Sequence, residues 1–319
     1  MYKIASIKKT FSLKGTHAAF TDITSFKGNY YLGFMVGVKH MVDSENKGMV
    51  LKSADGINWV PSCIFHCEKD TREPKFMEIG GRLFAYFFTI DPAPDNSRMI
   101  TDSWYSYTDD GLNWTKPERF AKEEKFWRPV YHDGLAYCVS HPKDPAPDRP
   151  CKLYKSADGK AWQYISDILI DPMKKPNEAS IAFDSKSNLY VFIRSDRDNK
   201  HSYVLKAAPP YTQYDVFDMG RQLGGPLIWV DSDEIYLGAR FFTEYGSQHT
   251  GIFKLDDEMK PHMVCVLPSF GDCSYMGITE KIDGSGYLAS YYSSHECLEG
   301  TQKSPNIASI YIADIQKEL

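Results

Sequence analysis

Three copies of one seven-residue pattern recur in the first half of the chain: SADGINW at 53–59, TDDGLNW at 108–114 and SADGKAW at 156–162. Their first residues are 55 and 48 positions apart, which is the spacing of one β-propeller blade per copy. The pattern has the chemistry of a turn: Ser or Thr and Asp bond back to the backbone, and Gly supplies a positive φ. Because the chain has 319 residues, a repeat of roughly fifty predicts about six blades.

The rest of the chain divides into strand-like segments of similar length. The predicted blades begin at Phe20, Arg72, Trp127, Asn177, Gly224 and Gly271. The run at 2–11 is left over, and we expect it to pair with the last blade, because closing the ring removes exposed strand edges. No segment has a convincing helical period. The sequence therefore predicts an all-β fold, a six-bladed β-propeller of four-stranded antiparallel blades, forming one domain over 1–319.

Charge and composition exclude several classes of partner. The chain has 37 Lys and Arg against 42 Asp and Glu, a net charge of −5, and no basic run. Nucleic acid and anionic membrane surfaces are therefore not expected partners. The N-terminus has no apolar signal segment, so a cytoplasmic location is expected. The seven cysteines are an odd number without the spacing of metal ligands, which predicts neither a metal site nor a cofactor.

Polar residues recur where the first strand of each blade begins. These residues are His17, Asp22, Arg72, Glu73, Trp127, Arg128, Glu178, Asp272 and Tyr275. The ends of the second strands add His40, His141, Arg194, Arg240, Tyr291 and His295. First strands surround the axis of a propeller, so we expect these side chains to share one axial pocket. An acid or an arginine at nearly every blade entrance indicates a polar ligand, and the expected partner is a glycan or a small carbohydrate.

The seven-residue turns resemble the Asp box of the sialidase superfamily. Glu178 and Arg194, 16 residues apart across a hairpin, are similar to the Glu and Arg of a middle blade in that family. Tyr275 matches its late tyrosine, and Asp43, ten residues before Ser53, matches its acid/base aspartate. The resemblance implies retaining glycoside hydrolysis, with Tyr275 as nucleophile, Glu178 as its base and Asp43 as the general acid.

One departure from the sialidase pattern concerns the first blade. The family has a Phe-Arg-Ile-Pro strand whose arginine grips the substrate carboxylate, whereas this chain reads His17-Ala18-Ala19-Phe20. Arg194 and Arg240 are expected to supply two arms of a clamp, and Arg72 or Arg128 a third, because arginine binds a carboxylate with two parallel hydrogen bonds. With His17, Asp22, His40 and Asp272 completing the substrate-binding set, the predicted substrate is a terminal sugar that is anionic or strongly polar.

Two other functions fit the same sequence. In a polysaccharide lyase acting on a uronate glycan, an arginine neutralises the carboxylate while a tyrosine or histidine moves the proton. In a noncatalytic glycan-binding propeller, the pocket recognises a sugar without turnover, since a fold does not by itself imply activity. The three functions differ in their products, so they are separable by experiment.

Overall fold

Six four-stranded antiparallel sheets follow one another along the chain in the computed structural model, which describes residues 2–93, 96, 99–141, 150–168, 176–196, 201–298 and 307–317. In five sheets the strands are adjacent in the order of the sequence, and in the sixth the N-terminal strand pairs with the last strand of the chain. The prediction of a six-bladed all-β propeller is confirmed. A single 3₁₀ turn is the one helical segment in these ranges, so they contain no helix that could cross a bilayer.

The strand bounds are as follows. The chain begins with β1 (Tyr2–Phe11). Blade one consists of β2 (His17–Phe26), β3 (Asn29–Gly37), β4 (Lys47–Ser53) and β5 (Val60–Phe65). Blade two consists of β6 (Asp70–Ile79), β7 (Arg82–Pro92), β8 (Met99–Thr108) and β9 (Glu118–Ala121). Blade three consists of β10 (Lys125–His132), β11 (Leu135–His141), β12 (Cys151–Ser156) and β13 (Gln163–Ile168).

The second half of the ring repeats this plan. Blade four consists of β14 (Pro176–Phe183), β15 (Leu189–Ser195), β16 (Ser202–Ala207) and β17 (Asp215–Asp218). Blade five consists of β18 (Leu223–Asp231), β19 (Glu234–Phe242), β20 (Gln248–Leu255) and β21 (Pro261–Leu267). Blade six consists of β22 (Cys273–Glu280), β23 (Tyr287–Ser293), the 3₁₀ turn η1 (His295–Leu298), and β24 (Ser309–Lys317), which pairs with β1.

The hydrophobic core is divided among the junctions between blades. Buried side chains of neighbouring blades form six clusters, for example Val139 and Leu153 of blade three with Ile181 and Val191 of blade four. The first strands of the blades contact one another in ring order, from β2 through β6, β10, β14 and β18 to β22 and back to β2. These strands therefore surround the axis, and the blades pack around it face to face.

The three repeated turns tie each blade to the one before it. In the third turn, Oδ1 of Asp158 accepts hydrogen bonds from the backbone N–H groups of Lys160 (2.8 Å) and Ala161 (2.9 Å). Gly159 has φ = 74°, and its carbonyl accepts a 2.8 Å hydrogen bond from the hydroxyl of Tyr86 in blade two. The first two turns have the same aspartate bonds. The turns thus lie at blade junctions and contribute to stability.

Replacing Asp158 with alanine is expected to lower the free energy of unfolding by about 1–2 kcal/mol, because the turn loses the charged acceptor of two backbone N–H groups. Thermal or urea denaturation measures the change. Asp257→Ala, at an exposed aspartate in the turn after β20, is the matched control and should leave stability nearly unchanged. Loss of function in Asp158→Ala at unchanged stability would contradict the structural role of this turn.

Every first strand contains an irregularity close to its start. The pairing register with the second strand shifts there in all six blades. In five blades this point includes a residue with positive φ: Phe20 (62°), Glu73 (57°), Arg128 (53°), Gly225 (59°) and Tyr275 (48°). In blade four it includes Glu178, between Pro176 and Ala179. Bulges re-aim side chains and are frequent beside active sites, so a ring of bulges surrounds the axis where the sequence predicts the pocket.

Candidate active site

A cavity of about 340 Å³ opens at the axis, within the size range of small-molecule sites. Its lining includes the charged side chains of Arg72, Glu73, Lys125, Glu178 and Arg194, together with Tyr275. Depressions of about 500, 690 and 560 Å³ occur elsewhere, and none of them shares a lining residue with the axial cavity. Burying charged side chains together costs free energy unless they are paired. Clusters of such side chains in a cleft are frequent at functional sites, so this cavity is the candidate site.

Tyr275 and Glu178 form the centre of the cavity wall. The hydroxyl of Tyr275 donates a hydrogen bond to Oε1 of Glu178. Nη1 of Arg194 lies 3.3 and 3.2 Å from the two oxygens of Glu178, and the N–H of Gly225 donates to Oε2 at 3.1 Å. A side chain at Gly225 would meet the ring of Tyr275 at 2.9 Å, so glycine is required for this close approach.

The electrostatics of this pair set its protonation. Burial would raise the pKa of Glu178, but the positive charges of Arg194 and Lys125 outweigh burial and hold the pKa below its usual value. Burial, and then the charge of Glu178, raise the pKa of Tyr275 well above its usual value. The resting pair is therefore a neutral phenol donating to a carboxylate. Tyr275 and its neighbour Ser274 both have positive φ (48° and 97°), and such strain clusters at functional sites.

Three arginines approach this pair. Arg72 and Arg194 line the cavity, and Arg240 lies next to Arg194 across Gly224. A Cβ at Gly224 would lie 3.3 Å from Nη2 of Arg240 and 3.8 Å from Cδ of Arg194, so this glycine lets the two side chains approach. Arg72 is held by Asp70, which accepts from its Nε and Nη2 at 2.8 Å each. Two arginines therefore line the cavity, and a third lies beside one of them.

A histidine and aspartate cluster adjoins the cavity. Nδ1 of His40 lies 2.6 Å from Oδ2 of Asp272, and Nε2 of His17 lies 3.5 Å from the same oxygen. Three donor atoms of these residues lie within 4.8 Å of one another, so they could hold a metal ion. Two distances favour a hydrogen-bonded cluster instead. The 2.6 Å separation is that of a direct hydrogen bond, and Nη1 of Arg240 lies 3.6 Å from Oδ1 of Asp272, where its charge opposes a cation.

Arg128 and Asp22, which the sequence suggested as substrate ligands, lie against each other instead. Both are buried, and Nη1 of Arg128 donates to Oδ1 of Asp22 at 3.1 Å. Nη2 of Arg128 donates to the carbonyl of Met276, and Oδ2 of Asp22 accepts from the N–H of Phe76 at 2.8 Å. The pair joins blades one, two, three and six. The reason for this placement is that the bulge turns Arg128 toward neighbouring backbone, so we assign the pair to the support of the site.

Asp43, suggested as the general acid, is absent from the cavity lining. Its Oδ1 accepts from the N–H of Glu45 at 3.1 Å, and Oδ2 lies 3.5 Å from Nζ of Lys39. The bond from the N–H of Glu45 is the main cause that lowers the pKa of Asp43; burial opposes it, and Lys39 lowers the pKa further. A carboxyl group with a lowered pKa is a poor proton donor. The contacts of the Asp43 carboxylate therefore lie within its own loop, and its role as general acid stays a prediction.

Two more of the residues suggested for the pocket lie elsewhere. Tyr291 stacks on Tyr311 at 5.4 Å between ring centroids, and its hydroxyl donates to the carbonyl of Pro268 at 3.1 Å. His295 lies over the same ring at 4.9 Å. Both residues belong to the packing of blade six. The end of a second strand carries alternate side chains to opposite faces of the sheet, and the strand end alone does not determine which face meets the axis.

Lys125 is a member of the cavity lining that sequence reasoning missed. It is buried, and its Nζ lies 4.0 Å from the ring centroid of Phe88 and 3.8 Å from Oε1 of Glu73. Burial lowers its pKa. A signal was present, because Lys125 is two residues before Trp127 on β10, and alternate residues of a strand share a face.

Comparison with known proteins shows which solved structures have a similar fold. No protein-family profile and no curated protein sequence match the chain. Among solved structures, a protein of unknown function from Dyadobacter fermentans matches over 99% of both chains with 17% identity and a TM-score of 0.80. The sialidase of Trypanosoma rangeli, solved with 2,3-difluorosialic acid as a covalent intermediate, matches 98% of this chain with 10% identity and a TM-score of 0.68.

A third match is a GH32 β-fructofuranosidase of Bombyx mori, in complex with sucrose, with 9% identity over 94% of this chain and a TM-score of 0.54. The present chain spans 59% of the matched sialidase chain. At these identities the likeness concerns the fold. The chain has a six-bladed propeller fold that is similar to the propeller of the sialidase.

Proposed function

We propose that the protein is an exo-acting, retaining glycoside hydrolase that removes a terminal sugar with a carboxylate near its anomeric carbon. The observation that carries the proposal is the hydrogen bond from Tyr275 to Glu178, with Arg194 against the same carboxylate, inside the axial cavity. A nucleophile in contact with a base, which is itself oriented by a third group, is the arrangement of covalent catalysis. The partner is a glycan, and no step requires a metal or a cofactor.

The charges favour an anionic substrate. Arg72 and Arg194 reach the cavity and Arg240 lies beside it, so a carboxylate entering between them gains charge-assisted hydrogen bonds. Arg72 comes from blade two and is held by Asp70. It supplies a cationic arm in a ring whose first blade has no arginine at 17–20.

An anionic substrate also explains the use of tyrosine. A carboxylate nucleophile would be repelled by the substrate's own carboxylate, whereas a neutral phenol is not. Because its pKa is raised, Tyr275 keeps its proton in the resting site. We therefore place the transfer of this proton to Glu178 in the same step that forms the bond to the anomeric carbon. A substrate carboxylate that pairs with Arg194 reduces the positive field acting on Glu178. Glu178 thereby becomes a stronger base when the substrate is in place.

The proposal is tested with methylumbelliferyl glycosides. The panel contains the α-ketosides of sialic acid and KDN, the β-glucuronide and, as a neutral control, the β-galactoside. We expect release of the fluorophore from at least one anionic glycoside, with NMR showing that the first sugar formed retains its anomeric configuration. In parallel, uronate polysaccharides are examined for the ultraviolet absorbance of an unsaturated product. That absorbance would favour a lyase, and binding of glycans without turnover would favour a noncatalytic module.

A further inference from the structure

The inference concerns His40, in the loop that follows β3. Its ring lines the axial cavity, and its side chain is 39% exposed. The ring lies edge-to-face with Phe20 at 5.2 Å between centroids, and Phe20 lies edge-to-face with Tyr275 at 4.8 Å. An aromatic ring thus contacts both His40 and the proposed nucleophile. His40 and Tyr275 border the same cavity, and this placement suits two groups that act on one bound sugar.

Asp272 orients this histidine. Its Oδ2 lies 2.6 Å from Nδ1 of His40, and its Oδ1 accepts a 2.7 Å hydrogen bond from the hydroxyl of Tyr292. Burial would raise the pKa of Asp272, but the interactions with His40, His17 and Tyr292 together outweigh burial and lower the pKa, so the group is a carboxylate. A carboxylate accepts from an N–H. The proton of His40 is therefore on Nδ1 in the neutral ring, and Nε2 is left as the atom that exchanges protons.

We propose that His40 is the general acid and base of the reaction and that Asp272 is its positioning residue. This inference rests on the proposed hydrolase function. The reaction starts from doubly protonated His40, in which Nε2 has taken up a second proton from water. In the first step Nε2–H of His40 protonates the glycosidic oxygen as its bond to the anomeric carbon breaks. Oη of Tyr275 bonds to that carbon, and its proton passes to Glu178. In the second step Nε2 takes a proton from water, the hydroxide oxygen bonds to the anomeric carbon, and Tyr275 leaves and recovers its proton from Glu178.

His17 packs against His40 and lies close to Asp272. It is fully buried, and its ring lies 5.2 Å from that of His40, edge-to-face. Burial is the main cause that lowers the pKa of His17, to about 4, so its ring is neutral near pH 7. His40 is therefore the histidine of this pair that faces both the carboxylate and the cavity. Asp43 does not line the cavity, whereas His40 does, so we consider His40 for the acid position.

The first arm of the test reads the histidine tautomer without substrate. In ¹⁵N-labelled protein, long-range ¹H–¹⁵N NMR is expected to show the proton of neutral His40 on Nδ1. The signal is assigned by its loss in His40→Gln, and it should shift in Asp272→Asn. A proton on Nε2 in the wild-type protein overturns the proposal. Because this arm needs no turnover, it distinguishes a failure of the His40–Asp272 arrangement from a failure of the proposed hydrolase function.

The second arm compares leaving groups on the sugar that the panel identifies. His40→Gln is expected to lose about 10²–10⁴-fold in kcat on the methyl glycoside, which needs protonation, and under about tenfold on the methylumbelliferyl glycoside. Asp272→Asn should show the same selectivity more weakly. His262→Gln, in an exposed pair with Asp256 at the same 2.6 Å, is the matched control and should leave both rates unchanged.

Two results of the second arm overturn the proposal. One is an equal loss on both glycosides in His40→Gln, which indicates a structural role. The other is a leaving-group-dependent loss in Asp43→Asn instead of His40→Gln. A chelator arm tests the remaining interpretation of the cluster. If EDTA abolishes turnover and zinc restores it, His17, His40 and Asp272 bind a metal and the proposal is also wrong.

Discussion

Tyr275→Phe is expected to lower kcat/KM on the cleaved glycoside by about 10³-fold or more, because the variant lacks the oxygen that bonds to the anomeric carbon. The ring contacts with Phe20, Trp127 and Tyr292 do not involve that oxygen. Glu178 keeps its bonds from Arg194 and Gly225. The variant should therefore fold, and the loss should be one of chemistry.

Two further measurements make the Tyr275 prediction decisive. Tyr291 is buried in blade six, and its hydroxyl donates to the backbone carbonyl of Pro268, away from the cavity. The control variant Tyr291→Phe should therefore keep nearly the full rate. A fluorinated sugar acid should become attached to the peptide that contains Tyr275, as mass spectrometry would show. Turnover by Tyr275→Phe above about a tenth of the parent rate, a shortfall under roughly 1.4 kcal/mol, would remove Tyr275 as nucleophile.

Glu178→Gln is expected to lower kcat by about 10²–10⁴-fold, because an amide of the same size cannot take the proton of Tyr275. KM for an anionic substrate should stay level or fall, since the change removes a negative charge beside Arg194. Steady-state kinetics measures both parameters. This separation of kcat from KM distinguishes a base from a residue that only binds substrate.

The matched control for Glu178 is Glu124→Gln. Oε1 of Glu124 accepts bonds from Ser140 (2.6 Å) and Tyr154 (2.9 Å) in blade three, so the variant also loses a bonded carboxylate but leaves the axial cavity intact. Its kcat should be unchanged, and any loss of stability is measured by thermal denaturation. A kcat for Glu178→Gln within tenfold of the parent, in folded protein, would show that Glu178 is not the base.

The fold was predictable because its signals are local. Each seven-residue turn needs only its own Ser or Thr, Asp and Gly, and the aspartate bonds observed at Asp55, Asp110 and Asp158 all lie within three residues. Repetition then supplied the number of blades. The leftover run at 2–11 is β1, which pairs with β24.

The site was predictable only as a region. The starts of the first strands were recognisable as positions near the axis, and Arg72, Glu178 and Tyr275 do line the cavity. The same reasoning could not distinguish the surroundings of Arg128 from those of Arg72, because both arginines lie near the start of a first strand and precede a proline by one or two residues. Arg128 turns toward Asp22 and Met276, and Arg72 toward Asp70.

The sequence by itself therefore determined the number of blades and the strands that meet at the axis, because turn chemistry and strand alternation act over a few residues. Only the tertiary structure decided which polar side chains face the cavity. That choice depends on bulges that redirect individual residues and on partners far away in sequence. Asp272 meets His40 across 232 positions and Glu178 meets Tyr275 across 97. Contacts at such separations form only when the ring closes, so no local pattern encodes them.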